Sequence, residues 1–212
     1  MSTLIRILIA DDHSIVRRGL KDILEQEFAD VHIEEVNNGK ELMKLARSAE
    51  WDIVISDLTM PERNGLEVVK LLKEEKPGLP VLILSMHPED QYALRVLRAG
   101  AAGYLTKESA GEELVKAVRY ILQGRKYITP SIAEKMASQL TQDSSKQLHE
   151  LLSDREFNVL KMIASGKTVS EIAELLNLSV GTISTYRARI LEKMQLRTNA
   201  ELTHYAIQQG LV

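Results

Sequence analysis

Apolar positions along the first 125 residues fall into two alternating rhythms. Ile5-Arg6-Ile7-Leu8-Ile9-Ala10 is a short β-branched run, which reads as a buried strand. Residues 14–28 follow a helical period, with Ile15, Leu20, Ile23, Leu24 and Phe28 on one predicted side. Val31–Val36 is a weaker strand, and Asn38-Gly39 turns the chain into a helix at about 40–49. A third strand spans Asp52–Asp57, followed by a loop from Pro61 to Gly65. The next helix, 65–76, carries Leu66, Val69 and Leu72 and is stopped by Pro77-Gly78. Val81–Ser85 is the fourth strand, and Pro88-Glu89-Asp90 opens a helix that ends near Gly100. Gly103–Thr106 is a short fifth strand, and a helix over 109–123 stops at Gly124. Five strands alternating with five helices imply a parallel sheet covered on both faces.

The pattern changes after residue 125. Pro130-Ser131 can start a short amphipathic helix with Ile132, Met136 and Leu140. Thr141–Gln147 is polar and reads as a linker. From 151 onward only helical periods occur, over 154–164, 170–177, 180–194 and 198–208. The expected division is therefore 1–125, a linker segment with a short helix over 126–150, and an all-helical domain over 151–212.

Composition narrows the function classes. The chain contains no cysteine, which excludes disulfides, thiolate metal sites and cysteine nucleophiles and fits a reducing cytoplasm. No apolar run approaches the roughly 20 residues needed to span a bilayer. Arg6 and the two aspartates at 11 and 12 spoil any signal-peptide pattern, so a membrane partner is not expected. The net charge of −3 is unevenly spread. Residues 1–125 hold 17 Lys+Arg against 21 Asp+Glu, and residues 151–212 hold 7 against 6. Nucleic-acid binding by the second part would rest on local placement of cations and on dimerisation.

Ligands of open parallel sheets sit beyond the carboxyl ends of the strands. Here those ends carry Asp11-Asp12, Asp57, Ser85 and Thr106-Lys107. Three converging carboxylates repel one another and call for a cation. An all-oxygen donor set suits Mg²⁺, which keeps waters and binds phosphate oxygens. An aspartate can then act as nucleophile and form an acyl phosphate. Lys107 and Ser85 would hold the phosphoryl oxygens. Each residue alone has a plainer reading: a strand-end Asp as a turn former or helix cap, and Lys107 as a solvated lysine. Their joint occurrence at four strand ends favours the site.

Asp11-Asp12, Asp57-Leu58-Thr59-Met60-Pro61 with Gly65, Ser85 and Lys107 resemble the signature of bacterial response-regulator receiver domains across residues 5–124. The resemblance implies a flavodoxin-like sheet of order 2-1-3-4-5. It implies Asp57 as phosphoacceptor, supplied by a sensor histidine kinase or by a small donor such as acetyl phosphate. It also implies Mg²⁺ ligation by Asp12, Asp57 and the Thr59 backbone carbonyl, with Asp11 acting largely through water. Ser85 would move toward the phosphoryl group, Lys107 would pair with it, and Tyr104 would be an aromatic switch. For Tyr104 simple strand packing is the other reading. Thr59 and His87 occupy positions that tune phosphoryl lifetime in such domains, although His87 reads equally well as a solvated loop residue.

Ser153-Asp154-Arg155-Glu156 is a capping box opening the second domain. The helices over 170–177 and 180–194 are joined by a short turn, the layout of a helix-turn-helix. On the later helix Ile183, Ile190 and Met194 share one side, flanked by Tyr186 and Arg187. Gly181, Ser184, Thr185 and Ala188 lie opposite, with Arg189 beside them, small enough for close approach to a major groove. Arg187, Arg189 and Lys193 could reach phosphates.

Leu152 through Glu156, Val159-Leu160, Gly166, Glu171-Ile172-Ala173, Leu176, Ser179, Thr182-Ile183, Ile190 and Lys193-Met194 resemble the LuxR-type helix-turn-helix over about 150–212. With the receiver this resembles the NarL/FixJ architecture. It implies binding of double-stranded DNA through Thr182, Ser184, Thr185, Arg187, Ala188, Arg189 and Lys193. It further implies homodimerisation through the last helix, with Ala200, Leu202, Thr203, Ala206 and Ile207 as candidates, and adds RNA polymerase as a further candidate partner. The family's common Lys at 184 and His at 186 are replaced by Ser184 and Tyr186, so no base contact carries over from the Lys. The Ser184-Thr185-Tyr186-Arg187 run resembles the branch containing the BvgA and EvgA regulators. Two other readings compete: a Mg²⁺-dependent phosphohydrolase, for which no cap domain is evident, and a protein-interaction module that leaves DNA alone.

Overall fold

The computed structural model describes residues 4–141 and 148–212, and the chain divides into two compact units between 141 and 142. In the first unit, strands β1 (Ile5–Ala10), β2 (Val31–Val36), β3 (Ile53–Asp57), β4 (Val81–Ser85) and β5 (Gly103–Thr106) form one parallel sheet of order 2-1-3-4-5. Helices α1 (Ser14–Glu27), α2 (Gly39–Ser48), α3 (Gly65–Glu75), α4 (Glu89–Arg98) and α5 (Ala110–Leu122) alternate with the strands. Every residue of β3 and β4 is buried, as continuous apolar runs between two helical layers require. One face of the sheet packs Ile7, Ile9, Ile53, Ile55 and Leu82 against Leu20, Leu24, Leu114 and Val118 of α1 and α5.

One predicted core residue lies elsewhere. Ile15 is 86% exposed. Five residues separate it from Leu20, which puts it about 140° around the helix from the buried stripe. Val16 and Ile23 pack against the core instead.

A sixth helix, α6 (Pro130–Thr141), falls in the segment expected to link the domains. It docks on the first unit rather than standing free. Ile132 is buried, Thr129 Oγ1 donates to Glu89 Oε2 at 2.7 Å, and Lys135 Nζ donates to the Asp90 carbonyl at 2.5 Å. Met136, placed on the apolar side by sequence, is 40% exposed. Of the polar run expected as a linker, residues 142–147 lie outside the described residues.

The second unit begins with a 3₁₀ turn (Leu148–Leu151) and contains α7 (Asp154–Ala164), α8 (Val169–Leu175), α9 (Val180–Lys193) and α10 (Asn199–Gln208). Its core is Phe157, Leu160, Ile172, Ile183, Ile190, Met194, Leu202 and Ala206, all close to fully buried. The expected capping box of Ser153 and Glu156 is present. Thr168 with Glu171 and Thr198 with Glu201 form two more, each satisfying orphan N–H groups at a helix start.

Candidate functional site: an acidic pocket and a helix-turn-helix

The order 2-1-3-4-5 reverses direction between β1 and β3, and the crevice at that switch point gathers the predicted residues. Asp11 follows β1 and is buried; Asp57 ends β3 and is buried; Asp12 is partly exposed. Lys107 follows β5, and its Nζ lies 2.6 Å from Asp11 Oδ2 and 3.0 Å from Asp57 Oδ2. Asp57 Oδ1 accepts the Thr59 backbone N–H at 3.3 Å. Gly65 lets α3 start against this turn, because a side-chain carbon there would run into the Asp57 carbonyl oxygen and Leu58 Cα. Its N–H donates to the Leu58 carbonyl at 2.9 Å, and Asn64 caps the helix.

Burial and then the neighbouring Asp11 carboxylate push Asp57 up to about 6, against the opposing pull of the Lys107 ammonium and the Thr59 N–H. Burial alone would lower Lys107, but its bonds to Asp11 and Asp57 outweigh it and hold the ammonium charged. The pocket therefore holds three acidic groups against one cation. One ligand atom each from Asp11, Asp12, His13 and Asp57 lies within 4.8 Å of the others. The hard oxygens in that set fit a small divalent cation such as Mg²⁺.

His13 is a site residue that the sequence pattern did not single out. Its N–H donates to Asp11 Oδ1 at 2.8 Å, and its Nδ1 lies 2.7 Å from Asp12 Oδ1. Its place directly after the paired aspartates is the signal that could have found it.

Ser85 and Tyr104 are fully buried. Ser85 Oγ accepts the His87 N–H at 3.0 Å, and the Tyr104 hydroxyl donates to the His87 carbonyl at 2.8 Å. Both groups thus grip the backbone of one residue in the β4–α4 loop. Burial raises the Tyr104 phenol far above its ordinary value, so it remains a neutral donor. The His87 ring stacks on Tyr92 of α4 at 4.8 Å between centroids, which argues against a purely solvated loop residue.

In the second unit α8 and α9 are joined by Leu176 through Ser179, with Asn177 in the left-handed region at φ 52°. Ser179 caps α9 by accepting the Thr182 N–H at 3.0 Å. Ile183, Ile190 and Met194 turn into the core, while Gly181, Ser184, Thr185, Ala188 and Arg189 are exposed together. Thr182 and Arg187 are half-buried at the edges of that surface. Arg187 Nε donates to Asn199 Oδ1 at 2.6 Å.

Lys193 carries a contact the sequence did not suggest: its Nζ lies 2.6 Å from the buried Glu156 Oε2, while its side chain stays 41% exposed, so its charge is shared with a carboxylate of the fold. Among the expected dimer residues, Leu202 and Ala206 are fully buried in the unit's own core and cannot face a second copy. Ala200 and Ile207 are exposed and Thr203 is half-buried.

Comparison with known proteins matches both units. Residues 7–119 fit the model of the response regulator receiver domain, and residues 150–206 that of the bacterial regulatory proteins of the luxR family. The response regulator UvrY of Escherichia coli K12 is 37% identical over 209 residues, covering 98% of this chain and 96% of that protein. The response regulator GacA of Pseudomonas aeruginosa is 35% identical over 210 residues, covering 99% and 98%. Among solved structures, the RcsB response regulator of Salmonella typhimurium superposes with TM-score 0.68 at 26% identity, covering 98% of both chains. A complex of RcsB with DNA has TM-score 0.58 at 28% identity, covering 96% of this chain and 98% of that one.

Proposed function

Because this chain belongs to the response regulators, in which a receiver domain governs a LuxR-type DNA-binding domain that regulates transcription, we propose that Asp57 is its phosphoacceptor and that phosphorylation controls dimerisation and promoter binding. The observation that carries this reading is Lys107, whose ammonium lies between the Asp11 and Asp57 carboxylates.

A carboxylate oxygen of Asp57 attacks phosphorus. The bond from phosphorus to the donor's histidine nitrogen, or to the acetate oxygen of acetyl phosphate, breaks as the acyl phosphate forms. Mg²⁺ held by Asp11, Asp12, Asp57 and the Thr59 carbonyl would offset the carboxylate charge and the incoming phosphoryl oxygens. Lys107 then exchanges its contact with the Asp57 oxygen for one with the phosphoryl group. Ser85 turns toward the same group and releases the His87 N–H. With one of its two grips gone, the β4–α4 loop adopts a second arrangement, and Tyr104 follows through its bond to the His87 carbonyl. Thr59 and His87 would set access of water to the acyl phosphate. The chain catalyses only these steps on itself, and a transcription regulator acts where the chromosome lies, in the cytoplasm.

The exposed surface of Ser184, Thr185, Ala188 and Arg189 enters the major groove, with Thr182 and Arg187 at its edges. RcsB is a relative whose structures include DNA complexes, one of them with the phosphomimetic BeF3⁻. Dimerisation rests on the exposed side of α10, at Ala200 and Ile207 with Thr203, and RNA polymerase is a candidate contact beyond it.

Acetyl phosphate and Mg²⁺ should add one phosphoryl group to the full chain, seen by intact mass, and Asp57→Asn should take up none. Phosphorylation of Asp57→Asn to the same extent, or sustained turnover of a phosphomonoester by the wild type, would overturn the assignment.

A further inference from the structure

Two basic residues of α9 meet partners of different charge. Lys193 faces a buried carboxylate and is neutralised by it. Arg187 faces the side-chain carbonyl of Asn199, which takes its Nε–H at 2.6 Å and carries no charge. An unbalanced cation matters in a second unit that is only weakly basic overall.

We propose that Asn199 is a positioning residue for DNA binding: it orders the Arg187 guanidinium before DNA arrives and leaves its positive charge whole for a phosphate. The proposal rests on the reading that α9 enters the groove. An arginine has five N–H donors, so a bond at Nε leaves the two terminal amino groups, with four donors, for a phosphate. A long side chain ordered in advance loses less entropy on binding.

The placement of Asn199 is itself rigid. Gln195 sits in the left-handed region at φ 56°, and Leu196 N–H donates to the Leu191 carbonyl at 2.9 Å, so the chain turns sharply at the end of α9. Thr198 and Glu201 then cap α10, making Asn199 its first helical residue, and Leu202 and Ala206 anchor the helix in the core. A short side chain on such a base holds its carbonyl in a fixed direction. Aspartate there would hold Arg187 as well but cancel its charge, while improving the helix start through the dipole.

That contrast separates positioning from a merely structural role. The full chain, treated with BeF3⁻ and Mg²⁺, is titrated onto a labelled duplex of mixed sequence, about four helical turns long, at several salt concentrations. Asn199→Ala should weaken binding about three- to tenfold with an unchanged salt slope, because the charge persists while the ordering is lost. Asn199→Asp should leave the melting temperature unchanged or higher, yet lower the slope of log K against log salt by about one, as Arg187→Ala does. If Arg187→Ala weakens binding while both Asn199 variants bind as the wild type, the positioning role is overturned and the DNA reading stands. Loss of affinity in Asn199→Asp only in step with a lowered melting temperature would also overturn it. If the wild type shows no salt-dependent binding at all, the groove reading falls, and this proposal with it.

Discussion

Little room surrounds Asp57, the proposed phosphoacceptor, and Gly65 marks the limit. Gly65→Ala forces the turn after β3 to shift, since the added carbon meets backbone rather than a flexible side chain. The expected cost is about 1–3 kcal/mol, read from urea unfolding, with slower uptake of phosphate from acetyl phosphate. Glu156 in the second unit offers a pH test. Burial raises this carboxyl, but the Lys193 ammonium and the bonds at Ser153 outweigh that, so it is held below the usual carboxylate range. Its contribution to stability is complete above the ordinary value near pH ~4.3 and is lost as pH falls through the lowered one. Glu156→Gln should therefore destabilise the second unit by about 1–2 kcal/mol near neutrality, an estimate reduced for the half-exposed lysine. The difference from wild type should vanish in acid; a difference that persists there would contradict the pairing. Neither contact is written in the chain's periodicity. Lys193 resembles a free cation because its partner lies 37 residues away.

Elements were legible wherever burial imposes a rhythm. β3 and β4 are covered on both faces, so apolar runs identify them, and the residues ending those strands could be placed at the mouth of the sheet. Ile15 shows the limit, because an apolar residue in a first turn counts toward the period without lying on the buried stripe. The capping boxes at Thr168 and Thr198 were present as Thr-x-x-Glu and could have fixed those helix starts. Docking of α6 could not be read, since it depends on Glu89 and Asp90, which lie 40 and 45 residues from their partners. Thr129→Val removes the Glu89 bond and keeps the shape of the side chain. It should loosen α6, speeding hydrogen exchange over residues 130–141 while exchange in β3 and β4 is unchanged. Equal protection in the variant would show that Ile132 and Lys135 suffice to hold the helix.

At the scale of the whole molecule the proposed acceptor and the proposed DNA surface belong to separate units, each with its own core. Phosphorylation of Asp57, as proposed, therefore has to pass a signal from one unit to the other. BeF3⁻ with Mg²⁺ should shift the full chain toward a dimer in sedimentation, and footprinting should show two half-sites about one helical turn apart or a multiple of it. A single protected half-site, bound by a monomer, would contradict this arrangement. The carboxylate of Glu156 has a consequence at this scale. One side chain both closes the first turn of α7 and holds the last turn of α9, and it lies in the unit that does not contain Asp57. Its neutralisation should weaken the second unit while leaving the proposed phosphoryl uptake at Asp57 untouched, so that such a variant would compete with intact copies for the same donor yet relay less of what it takes.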